Sequence, residues 1–165
     1  MAGKADKKTP PDEELVVRNA RAVQRYEIEE KLEAGIALMG SEVKSLRQRR
    51  AQLEGAFVTL KPGNATLHGL HIQPYVQAAT FGHEPARVRK LLMHAREIER
   101  WMGRLSAQGY TVVPIRVYFK KGLAKVELGL GRGKKAGDER EKIKRATDLK
   151  EARAMIQAGK GKRVR

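Results

Sequence analysis

Alternation of hydrophobic and polar positions predicts most of the regular structure in this chain to be β-strand. In residues 26–33, YEIEEKLE, alternate side chains share a face, so Tyr26, Ile28 and Leu32 lie on the same side as Glu30. Glu30 is the one charged residue on that side, and the pattern alone does not explain it. Further strands are predicted over residues 56–60, 65–72, 91–93, 111–119 and 123–130, which gives six or seven short strands in all.

Turn-forming residues separate these strands. The tripeptide PGN at 62–64 predicts a tight turn, and so a hairpin between the strands on either side of it. The tripeptide KKG at 120–122 predicts a second turn. Residues 73–87 contain two prolines and a glycine, which favours a long surface loop. Pro114 indicates an edge strand or a bulge, because proline cannot donate a ladder hydrogen bond.

One stretch has a clear helical period. In residues 94–108, an apolar stripe is formed by Ile98, Trp101, Met102 and Leu105, and a glycine follows the stretch where a helix would end. Trp101 lies within this stripe. We therefore expect it to be a core residue and not a stacking platform for bases.

A second helix is predicted over residues 41–50, after an apolar segment that contains two glycines. Ser41 is the expected N-cap, and Glu42 suits the positive end of the helix dipole. Lys44 and Arg47 lie away from the apolar face of this helix. It is predicted to anchor in the core and to present fixed cations outside.

The fold class predicted from these elements is mainly β. Strands and helices do not alternate, so a small antiparallel barrel of the oligonucleotide-binding type is expected, with two or three flanking helices and a basic C-terminal tail. The expected organisation is a disordered N-terminal segment over 1–18, the barrel domain over 19–131 and the tail over 132–165. The glycine-rich residues 129–133, GLGRG, are expected to form a flexible hinge.

Charge changes the functional picture. The chain has 35 Lys and Arg against 19 Asp and Glu, a net charge of +16, and residues 132–165 carry half of that excess. Such an excess favours a polyanionic partner, and nucleic acid before a membrane surface. The sequence contains no cysteine, no signal peptide and no apolar run long enough to span a membrane, which predicts a cytoplasmic protein.

The tail has good helix formers over residues 138–158, but its apolar positions are too sparse to make a wide stripe. Isolated helices of this length are marginal in water. We expect the tail to be largely unfolded by itself and to become helical against RNA, with its cations neutralising phosphates.

Candidate catalytic chemistry is weak. No phosphate-binding loop has the required spacing, and His68 and His71 point to opposite faces of a strand, which argues against a metal pair. The glutamates of the first strand are candidates for Mg²⁺ binding in a nuclease, although alternation explains all but Glu30 as a solvated face; they are Glu27, Glu29, Glu30 and Glu33. No enzyme, cofactor or metal site is expected.

Several segments in order resemble the SmpB family, whose members bind transfer-messenger RNA (tmRNA). They are YEIEEKLEAG at 26–35, GSEVKSLR at 40–47, RKLLMHAREI at 89–98, YFKKGLAKVELGL at 118–130 and GKKAGDEREKIKR at 133–145. The resemblance implies an oligonucleotide-binding barrel that grips the tRNA-like domain of tmRNA. It also implies a tail that enters the ribosomal decoding centre and the empty mRNA channel during trans-translation, the rescue of stalled ribosomes.

The resemblance also implies site residues. The RNA-binding positions are Asn19, Arg21, Tyr26, Glu33, Lys44, Arg47, Leu92 and Lys125. The decoding-centre positions are Lys134, Lys135, Asp138, Arg140, Ile143, Lys144 and Arg145. Tyr26 is expected to stack on an unpaired base, a contact worth about 1–3 kcal/mol, whereas the residue pattern alone favours a core aromatic. Ala20, Val23 and Glu139 depart from the family pattern, which usually has basic residues there.

The implied partners are tmRNA and the ribosome, including 16S rRNA of the decoding centre. Alanyl-tRNA synthetase and elongation factor Tu–GTP are expected to act on the same RNA, and the protein is expected to be a monomer. Two other readings remain open at this point. One is a non-specific RNA chaperone or ribosome-associated RNA-binding protein with the same barrel, and the other is a metal-dependent nuclease that uses the glutamates.

Overall fold

The structure is a computed structural model, and it describes residues 12–76, 82–107, 109–134 and 144–155. The chain divides into two compact units, Met1–Gly133 and Lys134–Arg165. In the second unit, residues 144–155 are helical. The described residues contain no helix that is long and apolar enough to cross a membrane.

Nine strands and three helices make up the described part of the first unit. In chain order they are β1 (Glu13–Arg18), α1 (Ala20–Arg25), β2 (Tyr26–Ile36), α2 (Gly40–Arg47), β3 (Ala51–Gln52), β4 (Phe57–Lys61), β5 (Asn64–His68), β6 (His71–Ile72), β7 (Arg89–Leu92), α3 (Ala95–Leu105), β8 (Tyr110–Lys120) and β9 (Leu123–Gly133). The predicted hairpins β4–β5 and β8–β9 are both present.

Seven strands form one antiparallel sheet in the order β1-β8-β9-β2-β7-β5-β4, and β3 pairs with β6 separately. The prediction of a mainly β, antiparallel fold is confirmed. The sheet also agrees with the predicted barrel of the oligonucleotide-binding type, although its described strands do not close it by hydrogen bonds. The sheet curls until β4 lies against β8, but no backbone pairing among the described strands joins the edge strands β1 and β4.

The core lies inside the curled sheet and beneath α2 and α3. Trp101 of α3 is fully buried and Ile98 almost fully buried, as the helical stripe predicts. Leu46 is fully buried and packs α2 against the core, while Lys44 lies on the opposite, exposed side of that helix. Burying a large apolar side chain contributes about 1.5–3 kcal/mol. The two helices are therefore held to the sheet by a few well-buried anchors.

The N-terminal prediction needs a correction. Residues 13–18, assigned to a disordered segment, form the edge strand β1, which pairs with β8 along its whole length. Residues 1–11 lie outside the described residues. Asn19 follows β1 and caps α1, where its side-chain oxygen accepts a hydrogen bond from the Ala22 N–H at 3.1 Å.

The start of α2 also differs from the prediction. The helix begins at Gly40 with Met39 as N-cap, and not at Ser41. A carboxylate three residues into the helix replaces the predicted serine cap, because Glu42 accepts a hydrogen bond from the Met39 N–H at 2.8 Å. Ser41 turns instead towards His83, with 3.0 Å between its hydroxyl oxygen and Nδ1.

The glycines at 129–133 form the end of β9, so the hinge predicted there is a strand. A Cβ on Gly131 would overlap the carbonyl oxygen of Glu27. This close approach lies beside a β-bulge in β2, between Ile28 and Glu30. The glycine is therefore needed for packing between two strands and not for flexibility.

Candidate nucleic-acid interface

The first candidate surface is on the outside of the sheet, where register brings distant residues together. Gly35 of β2 pairs with Lys125 on one side and with Leu92 on the other, and Lys125 in turn pairs with Tyr118. Directly paired residues point to the same face of an antiparallel sheet. We call the residues of this face the outer-face cluster, and they are Glu33, Leu92, Tyr118, Lys120 and Lys125.

Glu33 connects the polar members of the outer-face cluster. Its carboxylate accepts hydrogen bonds from the Tyr118 hydroxyl and from Lys120 Nζ at 3.1 Å, and Lys125 Nζ lies 3.9 Å away. The hydrogen bond from Tyr118 and the two lysine charges together lower the pKa of Glu33. Burial and the bond to Glu33 raise the pKa of Tyr118. At neutral pH the Glu33 side chain is therefore a carboxylate and that of Tyr118 a neutral phenol.

Leu92 gives this charged face an apolar part. It is 58% exposed, and the absence of a side chain on Gly35 lets it lie close over β2. The outer-face cluster thus presents lysine charge beside an exposed leucine, an arrangement suited to phosphate together with a ribose or base. Three of the eight predicted RNA-binding residues, Glu33, Leu92 and Lys125, are brought together here.

A second set of charges on the same sheet is already neutralised within the protein. Arg116 forms ion pairs with Glu127 and, at 2.9 Å, with Glu13, and Lys31 lies 3.1 Å from Glu127. Burial alone would raise the pKa of Glu127, but its bonds to Arg116 and Lys31 lower it. Since these cations form short ion pairs with their carboxylate partners, they are weaker candidates for phosphate contacts than Lys125, whose Nζ lies 3.9 Å from Glu33.

The second candidate surface is a cleft of about 280 Å³. Three more predicted residues, Asn19, Arg21 and Tyr26, line it. Arg21 is exposed and forms an ion pair with Glu54, which also borders the cleft. Tyr26 is half-buried at the start of β2. The full lining is Asn19, Arg21, Ala22, Arg25, Tyr26, Glu54, Gly55, Ala56, Phe57 and Val113.

Asn19 shapes this cleft from within. It is 6% exposed, and its amide nitrogen donates to the carbonyl oxygens of Leu53 at 3.1 Å and Pro114 at 3.3 Å. Its side-chain oxygen accepts the hydrogen bond from the Ala22 N–H that caps α1. Both amide protons and the oxygen are therefore engaged inside the protein, and Asn19 offers no free donor to a ligand.

The third candidate surface is α2 and the turn after it. Lys44 and Arg47 are exposed, with Lys44 Nζ 5.5 Å from the ring centre of Tyr75 and the Arg47 guanidinium 4.9 Å from that of Phe119. The two arginines in the turn after the helix are also exposed. These four cations, the α2 patch, are Lys44, Arg47, Arg49 and Arg50. Within the part of the chain that the structure describes, none of the four has an ion-pair partner.

The predicted tail residues fall partly outside the described ranges. Lys134 is described, and Lys144 and Arg145 begin the helical residues 144–155. The predicted contacts at Lys135, Asp138, Arg140 and Ile143 lie outside the described residues.

Two of the four glutamates considered for a nuclease, Glu29 and Glu30, are bonded to arginines and a tyrosine. Glu30 pairs with Arg100 and Arg104 of α3, which explains the carboxylate on an inward position of β2. Glu29 pairs with Arg104 at 2.6 Å and accepts a hydrogen bond from the Tyr110 hydroxyl. No group of three or more potential metal ligands occurs among residues 12–76, 82–107, 109–134 and 144–155.

Comparison with known proteins gives a consistent match. A family model described as SmpB protein matches residues 16–158. The chain is 49% identical over 139 residues to an SsrA-binding protein of Geobacter sulfurreducens, covering 84% of this chain and 91% of that protein. It is 51% identical over 133 residues to an SsrA-binding protein of Geotalea uraniireducens, covering 81% and 88%.

The fold is similar to that of a chain in a solved structure described as "tmRNA-SmpB: a journey to the center of the bacterial ribosome". The TM-score is 0.62 and the identity 46%, over 73% of this chain and 85% of that one. Sequence and fold therefore point to the same relatives.

Proposed function

Because this chain belongs to the SmpB family, we propose that it binds tmRNA at the tRNA-like domain and delivers it to stalled ribosomes in trans-translation. The observation that carries the proposal is the extent of the likeness. It spans nearly all of the first unit and continues into the second. A partial match to the sheet alone would support only a general RNA-binding fold.

The outer-face cluster is the first proposed contact with tmRNA. Lys120 and Lys125 supply charge for phosphates, and Leu92 supplies an apolar surface for a ribose or base. Glu33 holds the two lysines in place, and as a carboxylate it also accepts hydrogen bonds from a base N–H or a ribose hydroxyl. The acidic residue is thus compatible with binding a polyanion.

The α2 patch and the cleft provide the other proposed contacts of the first unit. Lys44 and Arg47 bind phosphates, helped by their lack of carboxylate partners among the described residues. Arg21 and Tyr26 contact the RNA from the cleft. Asn19 is proposed as a positioning residue for this cleft, since its polar atoms are engaged internally.

The tail is proposed to act on the ribosome. Its cationic residues enter the decoding centre beside 16S rRNA and continue into the empty mRNA channel, where the tail is helical and reports that no codon is paired. The residues proposed for this are Lys134, Lys135, Asp138, Arg140, Ile143, Lys144 and Arg145.

Other parts of the proposal concern partners. Alanyl-tRNA synthetase and elongation factor Tu–GTP act on the same tmRNA, while the protein itself is a monomer and catalyses no reaction. Its proposed partners, tmRNA and the ribosome, place it in the cytoplasm.

Competition binding tests the proposed specificity. Labelled tRNA-like domain of tmRNA is bound to the full-length protein, and excess bulk tRNA is added. We expect the complex to persist, because the protein recognises the shape of one RNA. Displacement by the excess of bulk tRNA would instead identify a non-specific RNA chaperone. Sequencing the RNA that copurifies from cells gives an independent check, and tmRNA should dominate it.

A further inference from the structure

Phe57 is a half-exposed aromatic residue for which the sequence patterns indicate no role. It lies on the edge strand β4, is 49% exposed, and pairs across the hairpin with His68 of β5. The two rings are stacked, with 4.9 Å between their centres and 3° between their planes. His68, considered above as a metal ligand, is thus the backing of an aromatic platform.

The platform is held in place before any ligand arrives. His68 Nε2 lies 3.1 Å from the hydroxyl oxygen of Thr66, which fixes the imidazole in line with the phenyl ring. The Thr66 hydroxyl also lies within 3.5 Å of the Thr59 carbonyl oxygen across the hairpin. A preorganised ring loses little conformational freedom when something stacks on it.

The surroundings of Phe57 indicate what would stack there. Phe57 borders the same cleft as Tyr26, Arg21 and Arg25. Arg25 has no ion-pair partner among the residues that the structure describes, whereas Arg21 is paired with Glu54. An exposed ring next to an uncompensated guanidinium suits a planar group attached to an anion, and single-stranded nucleic acid offers this combination as base and phosphate.

We propose that Phe57, backed by His68, stacks on an unpaired nucleobase that enters the cleft, with Arg25 binding the adjacent phosphate. This inference rests on the proposed function, because it takes RNA as the ligand. It adds a base-stacking site to the three surfaces described above. The base comes either from the tRNA-like domain of tmRNA or from ribosomal RNA.

Tryptophan fluorescence can report on this site, because the chain has one tryptophan and that residue, Trp101, is fully buried. Phe57→Trp places an exposed indole on the platform while Trp101 serves as an internal reference for folding. The full-length variant is titrated with the isolated tRNA-like domain and, separately, with vacant ribosomes. Stacking should quench the exposed, red-shifted emission in one of the two titrations, which identifies the source of the base.

Affinity measurements with three further variants complete the test. Phe57→Leu should weaken binding of the RNA that quenches by about tenfold, as expected for loss of one base–aromatic stack, and Phe57→Tyr should bind like the unsubstituted protein. Val88→Ala, which alters a half-exposed apolar side chain outside the cleft, is the control and should bind normally.

The outcomes separate this inference from the proposed function. Binding of both RNAs without a change in the exposed emission, or equal affinities for Phe57→Leu and Phe57→Tyr, would overturn the stacking site and leave the proposed function standing. Failure of the unsubstituted protein to bind tmRNA would overturn both. Quenching by an added protein partner but by neither RNA would show that the platform binds a protein.

Discussion

The carboxylate of Glu42 holds α2 against the segment that leads into β7. It is fully buried and accepts hydrogen bonds from Arg87 Nε and Arg89 Nε, each at 2.9 Å, and from the Met39 N–H. Arg89 is also fully buried, and its guanidinium donates to backbone carbonyls that include Pro85 at 3.0 Å. A buried charge pair of this kind matters mainly because each partner is costly to leave alone.

Removing this carboxylate should destabilise the fold strongly. We expect Glu42→Gln to lower the free energy of unfolding by about 3–5 kcal/mol, because Arg89 is left as an uncompensated buried charge. Urea denaturation followed by Trp101 fluorescence measures the change. Glu54→Gln, which removes the partner of an exposed pair with Arg21, is the matched control and should cost about 0–1 kcal/mol. Similar losses for both variants would show that Glu42 is not a special anchor.

Stability should also fall in acid. Although burial alone would raise the pKa of Glu42, its hydrogen bonds and the charge of Arg89 lower it below its usual 4.5; the pKa values of Glu33 and Glu127 are lowered too. The unfolded chain therefore binds protons at a higher pH than the folded chain. The stabilisation is complete above about pH 4.5 and is lost as the pH falls through the folded-state values. Denaturation at a series of pH values should show a shallower acid dependence for Glu42→Gln.

Within the proposed RNA contact at the outer-face cluster, we expect the charge of Lys125 to contribute directly to binding. Lys125→Gln should weaken binding of the tRNA-like domain and reduce the slope of log affinity against log salt by about one. Lys121→Gln removes an equal charge from the neighbouring β8–β9 turn, outside the outer-face cluster, and should change both quantities less. Filter binding at several salt concentrations gives both values. Equal effects would mean that net charge alone governs binding.

At the scale of elements, β2 organises the first unit. It pairs with both β9 and β7, and its outer side carries Glu33 beside the row that joins Lys125, Gly35 and Leu92. The bulge between Ile28 and Glu30 and the small residue at Gly131 let β2 and β9 approach closely. The geometry of the outer-face cluster depends on this contact, since a shift in register would separate its members.

A methyl group at this contact should disturb the sheet. Gly131→Ala places a Cβ against the backbone carbonyl of Glu27, which cannot move as a flexible side chain can, so we expect a loss of about 1–3 kcal/mol in stability. A Cβ on Gly133 would meet nothing within 4 Å, so Gly133→Ala is the matched control and should be nearly neutral. Thermal unfolding compares the two. Neutrality of Gly131→Ala would contradict the structural role assigned to this glycine.

At the scale of the whole molecule, the two units differ in how far their positive charges are balanced in number by carboxylates. Many cations of Met1–Gly133 have carboxylate partners, such as Arg116 with Glu13 and Glu127, while residues 132–165 carry half of the net charge of +16. The described helix at 144–155 consists of exposed residues. Because the two units carry their charge in these different ways, we expect the sheet and the tail to have separate tasks.

Deleting residues 134–165 should separate these tasks. We expect the shortened protein to bind the tRNA-like domain with nearly unchanged affinity, because the outer-face cluster, the cleft and the α2 patch are all retained. Tagging of nascent chains on stalled ribosomes should be lost, since the tail is the proposed ribosomal element. Binding and tagging assays on the same preparation measure both. A parallel loss of the two activities would rule out this division.

Local patterns in the sequence predicted a large part of this fold. Alternation located β2 and β9, and the period of 3.6 identified Trp101 as core, because both patterns report directly which residues face water. The strand β8 was predicted from its β-forming residues and not from alternation. The strand β1 was missed, since three adjacent apolar residues carry no period and its structure comes from pairing with β8. The bulge at Pro114 was among the predicted possibilities and is confirmed.

The candidate site was less accessible to such reasoning. The family resemblance made Asn19 a candidate for RNA binding, yet its side-chain amide donates to carbonyl groups 34 and 95 positions away along the chain. The strand pattern did not explain a charged residue at Glu30, because its ion-pair partners, Arg100 and Arg104, lie on α3 and are distant in sequence. The Phe57–His68 stack depends on the register of a hairpin whose turn was predicted but whose exact pairing was not.

Four features of this protein follow from the sequence alone: its β content, its hairpins, its basic tail and its family resemblance. These features depend on the order of residues along the chain or on the net charge of a segment, and both can be read without a structure. Only the folded structure shows which polar groups already have hydrogen-bond or ion-pair partners inside the protein and which remain available to a ligand. Lys44 and Arg47 remain available, whereas the side chain of Asn19 is bonded internally. The reason is physical: a hydrogen bond or ion pair forms between groups that are close in space, and most of their partners here are distant in sequence.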